Sequence, residues 1–331
     1  MKSSMRPKGA VEAEIVRLLK GAGSFVSGEA LSKGIGVSRT AVWKHINALK
    51  KSGYSIEALT AKGYRIAPPY PFNDIEVASG ITTGSVGRKV FFFERTDSTN
   101  RRAFELGLKG EGEGTAVIAD AQDKGRGRIG RIWESPAGVN LYTSVILRPP
   151  IAPREAHELT FVMAIAVAET VAGFSGKRPT VKWPNDILIN GKKTAGILLE
   201  MDSEPDRVHF VVGGVGVNLN MRKKDFPPAI RETATSLFEE TGVETDRASF
   251  ARGLYSSMEL WYKIYLDKGF QAVLDAWKGW FASVGSRVRV TSFDRVLEGI
   301  CVGVDKDGAL LVRTASGDVE RVISGDVDTA G

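Results

Sequence analysis

Gln122-Asp123-Lys124-Gly125-Arg126-Gly127-Arg128-Ile129-Gly130-Arg131-Ile132-Trp133-Glu134-Ser135-Pro136 is the densest signal in the chain. Glycine raises the entropy cost of a helix or a strand, so three glycines interleaved with three arginines predict a mobile loop. The arginine forks suit carboxylate and phosphate oxygens, and the glycines let backbone N–H groups approach an anion closely. A nucleic-acid-contacting arginine–glycine segment has the same composition. A single loop that ends at an apolar, tryptophan-containing sequence fits a ligand lid better than a repeat tract.

Three further clusters flank this loop. Lys182-Trp183-Pro184-Asn185-Asp186, followed by Gly191-Lys192-Lys193-Thr194-Ala195-Gly196, reads as a hairpin whose loop points polar groups at one ligand. Asn-Asp and Asn-Gly are also ordinary turn formers, and Trp183 suits a core. In Thr96-Asp97-Ser98-Thr99-Asn100 the hydroxyls can cap the following helix. Gly213-Gly214-Val215-Gly216-Val217-Asn218-Leu219-Asn220 reads as an apolar strand ending in an amide, where phosphate or metal binding by Asn218 competes with a plain turn.

Around the clusters, strand-like runs (Val90 to Phe93, Thr115 to Ala119, Leu141 to Leu147, Ile197 to Met201, Val208 to Gly216) mix with helical ones (Asn100 to Leu108, Glu155 to Ala172, Arg247 to Asp267). That predicts an α+β or mixed α/β domain. Upstream, Ala67-Pro68-Pro69-Tyr70-Pro71 is a stiff linker and marks a boundary. From about Ser283 the pattern becomes short alternating segments (Val288 to Val290, Val296 to Val304, Ala309 to Val312, Val319 to Ile323) separated by turn signals, the mark of a small SH3-like barrel.

Before the linker, Val11, Ile15, Leu18 and Leu19 recur at helical spacing, and a second helix spans Glu29 to Lys33. Gly34 and Gly36 break the pattern. Ser38 is placed to cap a third helix with apolar face Val42, Ile46 and Leu49, ending at Ser52-Gly53; Tyr54 to Leu59 and Gly63 to Ile66 read as a hairpin. This is a winged helix-turn-helix. Its third helix would bring Ser38, Arg39, Thr40, Trp43 and Lys44 to base edges, with Lys62 and Arg65 of the wing on phosphates. A dimerisation module is the other use of such a head.

Charge agrees with the DNA reading. Residues 1–68 hold twelve Lys/Arg, Lys2, Arg6 and Lys8 among them, against four Glu, a net +8 where the whole chain carries +6. A basic head on a slightly acidic body implies that one module meets a polyanion while the rest does something else. Cys301, the only cysteine, excludes an intramolecular disulfide or a cysteine-rich zinc site and fits a reducing compartment. No secretory signal is visible, and the apolar run Phe161 to Ala168 is shorter than the ~18–20 residues of a membrane span. The cytoplasm is the expected location, with no membrane partner.

The four clusters, in this order between a winged head and a β-rich tail, resemble the bifunctional biotin protein ligase and biotin operon repressor family over essentially the whole chain. The resemblance implies an α+β protein: a winged helix-turn-helix (1–67), a mixed-sheet biotin/lipoate ligase-like catalytic domain (68–282) and an SH3-like domain (283–331). It implies activation of biotin by Mg-ATP and transfer to a lysine of the biotin carboxyl carrier protein of acetyl-CoA carboxylase or a related enzyme. It also implies a homodimer acting on operator DNA of biotin biosynthesis genes.

Residue by residue, the resemblance places Ser98, Thr99, Asn100, Gln122, Gly125 and Gly196 at biotin, with Arg126, Gly127 and Arg128 closing over biotin and the adenylate phosphate. Lys193 corresponds to the family's active-site lysine. Arg128, Arg131, Lys182, Asn185 and Asn218 fall to ATP, Asn218 also to its magnesium, and Asp186 would orient or deprotonate the incoming lysine. The lid's entry, Asp123-Lys124, departs from the small or polar residues common in relatives. Met221 to Ala234 belongs near the adenine, without a residue that can be named.

Two rivals are a lipoate ligase or octanoyltransferase, and a ligand-sensing transcription factor with a dead ligase domain. The arginine–glycine lid and the DNA head count against the first; retention of Lys193, Arg126 and Arg128 counts against the second.

Overall fold

The computed structural model describes residues 9–292 and 295–329; Lys2, Arg6 and Lys8 of the basic head lie outside them. The head is α1 (Ala10–Ala22), α2 (Gly28–Ile35), α3 (Arg39–Lys51) and the hairpin β1 (Ser55–Leu59) with β2 (Gly63–Ala67). Ile15, Val16, Leu19, Leu31, Ile35, Val42, Ile46 and Leu49 close on one another as a separate core, as the 3.6-residue spacing requires. Ser38 caps α3, its Oγ accepting from the Ala41 N–H at 3.2 Å.

The head is keyed to the body through a buried carboxylate. Glu76, on the short α4 (Asp74–Ala78), pairs with Lys20 of the head, accepts from the Tyr54 hydroxyl at 3.2 Å, and lies 3.7 Å from Arg252 of the body. Ile75 and Tyr70 join the head's core, so the linker segment is packed rather than free.

The body is built on β3 (Val90–Thr96), β4 (Ala116–Gln122), β5 (Leu141–Leu147), β6 (Thr180–Lys182), β7 (Asp186–Ile189), β8 (Lys192–Ser203) and β9 (Val208–Val217). They form one mixed sheet in the order β3-β4-β5-β9-β8-β7-β6, parallel only between β3 and β4. Strand periodicity sends alternate residues to opposite faces. Val117, Ile146, Phe210 and Val212 pack under α5 (Thr99–Leu108), whereas Ile118, Val145, Val211 and Val215 join the larger core beneath α6 (Glu158–Ser175). Also in the larger core are α7 (Leu237–Thr241), α8 (Arg247–Lys268) and α9 (Phe270–Lys278), with the Trp277 and Phe161 rings tilted against each other at 4.8 Å between centres.

The α6 segment with its preceding turn, Pro153–Ser175, is long and apolar enough by composition to cross a membrane; it outruns Phe161 to Ala168 because it continues past Glu169, whose carboxylate accepts from Ser257 and Trp261 of α8. Eleven of the helix's eighteen residues are buried between sheet and α8, which accounts for apolar side chains on all sides.

The tail is an antiparallel sheet of β10 (Arg287–Thr291), β11 (Val296–Val304), β12 (Leu310–Arg313), β13 (Val319–Val322) and β14 (Asp326–Thr329), ordered β13-β12-β11-β10-β14. Cys301 is buried in its core, and burial pushes the thiol up, in keeping with a packing role. The α+β expectation holds, as do the winged head and the SH3-like tail. Five elements had no counterpart in the sequence reading: α4, β6, α7, α9 and β14.

Candidate functional site

A cavity of about 470 Å³ opens on the α5 face of the central sheet. It exists because a side-chain carpet stops. Along β9 the residues on that face run Phe210, Val212, Gly214, Gly216: the first two pack under α5, and the two glycines leave a trough. A Cβ at Gly214 would sit 1.8 Å from Asn100 Oδ1, and one at Gly216 would sit 2.4 Å from the Trp133 ring. Glycine here is set by close approach of neighbouring side chains rather than by turn geometry.

Polar groups at the start of α5 line the trough. The expectation that Ser98 caps this helix fails: Ser98 occupies the cap position but makes no capping bond with its side chain. The job falls to Gln122, whose Oε1 accepts from the Thr99 N–H at 2.8 Å and lies 3.2 Å from its hydroxyl. Ser98 lines the cavity instead. Ser144 stands 2.8 Å from Thr99 Oγ1 and 2.6 Å from Asn100 Oδ1, and Gln122 Nε2 donates to Ser135 at 2.8 Å.

The lid covers this slot. The glycine–arginine stretch is neither long helix nor strand, as expected, but it is organised: Arg126 bridges Ile132, and a tight turn spans Arg128–Gly130. The Gly127 N–H donates to Arg131 O at 2.7 Å, a bond within the lid's own fold. Gly125 is buried at the lid's foot, where a Cβ would meet Trp133 O at 2.2 Å. Trp133 turns its ring over Gly216, and its buried Nε1 has no hydrogen-bond partner among the described residues.

The lid arginines have different partners. Arg126 pairs with Glu200 at 2.8 Å and Arg131 with Asp326 of the tail. Arg128 donates to the neutral carboxamide of Asn185 at 2.9 Å. Burial lowers the pKa of Arg128, partly offset by Asp186 and Asp326. A half-buried guanidinium held by a neutral group gains most from an incoming anion.

Beside it, Lys193 Nζ lies 2.8 Å from Asp186 Oδ1 and 5.5 Å from the centre of the Trp133 ring. The KWPND segment makes two hairpins rather than one: β6–β7 turns at Trp183-Pro184-Asn185, and β7–β8 turns at Asn190-Gly191. Lys182 and Asn185 come from the first, while Asp186 and Lys193 sit on the strands. Lys182 Nζ reaches Asp328 of the tail at 3.1 Å.

The far wall is Met221, Phe226, Ile230, Thr233 and Ala234, an apolar surface that the sequence left without named contacts. Asn218 lines the cavity, but its side chain donates to Thr235 O at 3.0 Å and lies 3.4 Å from Asn140 Nδ2, so the amide already secures the β9 exit. Among the described residues no group of three or more His, Cys, Asp or Glu is arranged to hold a metal.

The cavity thus assembles Ser98, Thr99, Asn100, Gln122, Arg126, Gly127, Arg128, Arg131, Lys182, Asn185, Asp186, Lys193, Gly196 and Asn218, with Gly125 immediately behind. The sequence missed Glu200, Ser144, Asp326 and Asp328. Only the trough had a readable signal, two glycines two residues apart on a valine-rich strand.

On the head, Ser38, Arg39, Thr40, Trp43, Lys44, Lys62 and Arg65 are all exposed, with Trp43 showing 57% of its surface. Arg65 is tied to Glu57 across the wing at 2.7 Å and lies over Phe25.

Residues 92–218 match the biotin/lipoate A/B protein ligase family, 12–65 a helix-turn-helix domain, and 284–329 the biotin protein ligase C-terminal domain. The chain is 38% identical to the bifunctional ligase/repressor BirA of Bacillus subtilis, over 97% of this chain and 99% of that protein. It is 32% identical to the Escherichia coli protein of the same name, over 91% and 92%. A solved biotin protein ligase from Aquifex aeolicus, in complex with biotin and ATP, superposes with a TM-score of 0.64 at 28% identity, covering 73% of this chain and 99% of that one. With a ligand cavity under an arginine lid, a winged head and full-length likeness to ligase/repressors, the chain belongs to the bifunctional biotin protein ligase/repressor family.

Proposed function

We propose that the trough holds biotin and that the Arg128–Lys193 end, with the apolar far wall, holds Mg-ATP. The observation that carries this is the juxtaposition of an uncharged slot, built from Ser98, Thr99, Asn100 and Gln122, with a cationic end in one cavity. The slot suits a ring with amide-like polar edges, and the cations suit the carboxylate that must react.

The biotin carboxylate attacks the α-phosphorus of ATP and pyrophosphate leaves. Arg128 and Lys193 stabilise the charge that shifts onto phosphate oxygens. Lys182 and Arg131 extend the positive rim, and Asn185 holds Arg128 in place. Magnesium, held on the triphosphate itself, would screen its charge. The lid keeps water from the mixed anhydride. A carrier lysine amine then attacks the acyl carbon and AMP leaves, with Asp186 accepting the amine's proton.

The acceptor is the biotin carboxyl carrier protein of acetyl-CoA carboxylase or a related enzyme. The head binds operator DNA of biotin biosynthesis genes through α3 and the wing, as part of a homodimer that pairs two heads on a palindromic site. Residues 1–67, 68–282 and 283–331 are the three functional units, and the chain works in the cytoplasm without a membrane partner.

The test is transfer of radiolabelled biotin to a purified carrier domain with Mg-ATP, comparing the intact chain with Lys193→Ala. Label that requires ATP and Lys193 supports the reading. No transfer under any condition overturns it.

A further inference from the structure

Glu200 lies on β8, on the trough face, with Leu198 and Gly196 before it on alternate residues. Its two oxygens have different partners. Oε1 meets Arg126 of the lid at 2.8 Å; Oε2 accepts from Asn100 Nδ2 at 2.9 Å. Asn100 is almost fully buried, fixed further by Leu198 O and Ser144, while Arg126 is half exposed. From Asn100 the polar chain runs through Ser144 to Thr99, then Gln122, then Ser135, whose hydroxyl donates to Trp133 O at 2.9 Å. It therefore starts on one arm of the lid and returns to the other by way of the slot.

We infer that Glu200 is a positioning residue that couples the slot to the lid, an inference that rests on the slot being the biotin site. The inner contact is shielded and charge-assisted, so it persists and fixes the Asn100 amide in the orientation the slot presents. The outer contact is an ion pair with a half-exposed arginine, the kind that contributes little and is readily exchanged. A firm inner contact and a weak outer one make Glu200 a latch: it parks Arg126 over the slot yet releases it when the lid is drawn toward a bound anion. Without the latch the lid loses an anchor to the trough while the slot's hydrogen bonds survive.

Glu200→Gln separates the two contacts, because a carboxamide oxygen still accepts from Asn100 whereas the charge that holds Arg126 is gone. Glu200→Ala removes both. The experiment follows trypsin cleavage of the full chain after Arg126, Arg128 and Arg131 by mass spectrometry, with and without biotin, alongside the KM for biotin and kcat of adenylation. Glu200→Gln is expected to be cut in the lid at least about fivefold faster than the parent without ligand, with the biotin KM within about threefold. Glu200→Ala should raise that KM about tenfold or more, as expected when a charge-assisted hydrogen bond is removed. Equal lid cleavage in parent and Glu200→Gln, with biotin protecting both, overturns the role of Glu200 and leaves the slot intact. Absence of biotin protection in the parent overturns the slot itself. If Glu200→Ala fails to fold, Glu200→Gln decides alone.

Discussion

Lys193 and Asp186, on the neighbouring strands β8 and β7, form an ion pair at 2.8 Å in which the carboxylate is nearly buried and the ammonium is about one-third exposed. Each is suited to its part only because the other is there. In the proposed reaction the lysine supplies positive charge at the reacting phosphate, and the aspartate takes a proton from the incoming amine.

The pair predicts a split between half-reactions. Asp186→Asn should slow transfer to the carrier by about 10²–10⁴-fold, as for loss of a general base, while biotin-dependent pyrophosphate exchange falls far less. Lys193→Ala should cut the exchange itself by about 10²-fold or more. An equal drop in both half-reactions for Asp186→Asn would show that the carboxylate acts only by holding Lys193.

The trough predicts intolerance of a single methyl group. Gly216→Ala places a Cβ against the Trp133 ring, so the tryptophan and the lid foot must shift. Overpacking of this kind costs about 1–3 kcal/mol, or roughly tenfold to a hundredfold in biotin affinity when the bound state bears it. Calorimetric titration checks this. Gly110→Ala, where the added group would meet nothing, gauges the cost of an unaccommodated backbone angle alone.

Glu259 predicts an acid-labile anchor. Burial raises its pKa, but donation from the N–H groups of Gly84, Ser85 and Val86 and from the Ser85 hydroxyl outweighs this, holding it at about 2 against an ordinary 4.5. A depressed folded-state pKa gives stability that is complete above the ordinary value of 4.5 and disappears as pH falls toward about 2. Glu259→Gln should therefore lower stability by about 2–3 kcal/mol at neutral pH. Urea midpoints of the two proteins should converge between about pH 4 and about pH 2. A constant gap would contradict the assignment.

The head predicts separable contributions to DNA binding. Lys62→Ala and Arg65→Ala should each weaken duplex binding and reduce the salt slope by about 1, whereas Arg39→Ala and Lys44→Ala should each cost about 1–3 kcal/mol and relax the sequence preference. Ser38→Ala removes the cap of α3 and should cost about 1 kcal/mol of helix stability. Fluorescence anisotropy across a salt series distinguishes a basic residue that meets phosphate from one that does not.

What could be read from sequence follows from how local the signal is. The three head helices were legible because Ile15, Leu19, Val42, Ile46 and Leu49 repeat at helical spacing and Ser38 announces its own cap. The run Glu155 to Ala172 differs from the observed α6 because Pro153–Glu155 form a separate tight turn and the helix runs on to Ser175, where Gly176 caps it. Strand β14 was invisible: among its described side chains Val327 alone is buried core, and Asp326 and Asp328 turn toward cations far away in sequence. Glu200 was missed for the same reason. Nothing near it on β8 hints at Arg126, and only the sheet order brings the lid to it.

The composition of α6 has a consequence for the order of synthesis. Its main helical partner, α8, follows it only after the whole β6–β9 segment, with Gly253 of α8 set close to Phe174 of α6. As the chain leaves the ribosome, a helix apolar on all sides waits through that interval without its cover. The central sheet cannot be sealed until residues beyond Arg247 emerge. A chain halted before that point would expose α6 and aggregate, so this body commits to its native state late, through contacts distant in sequence.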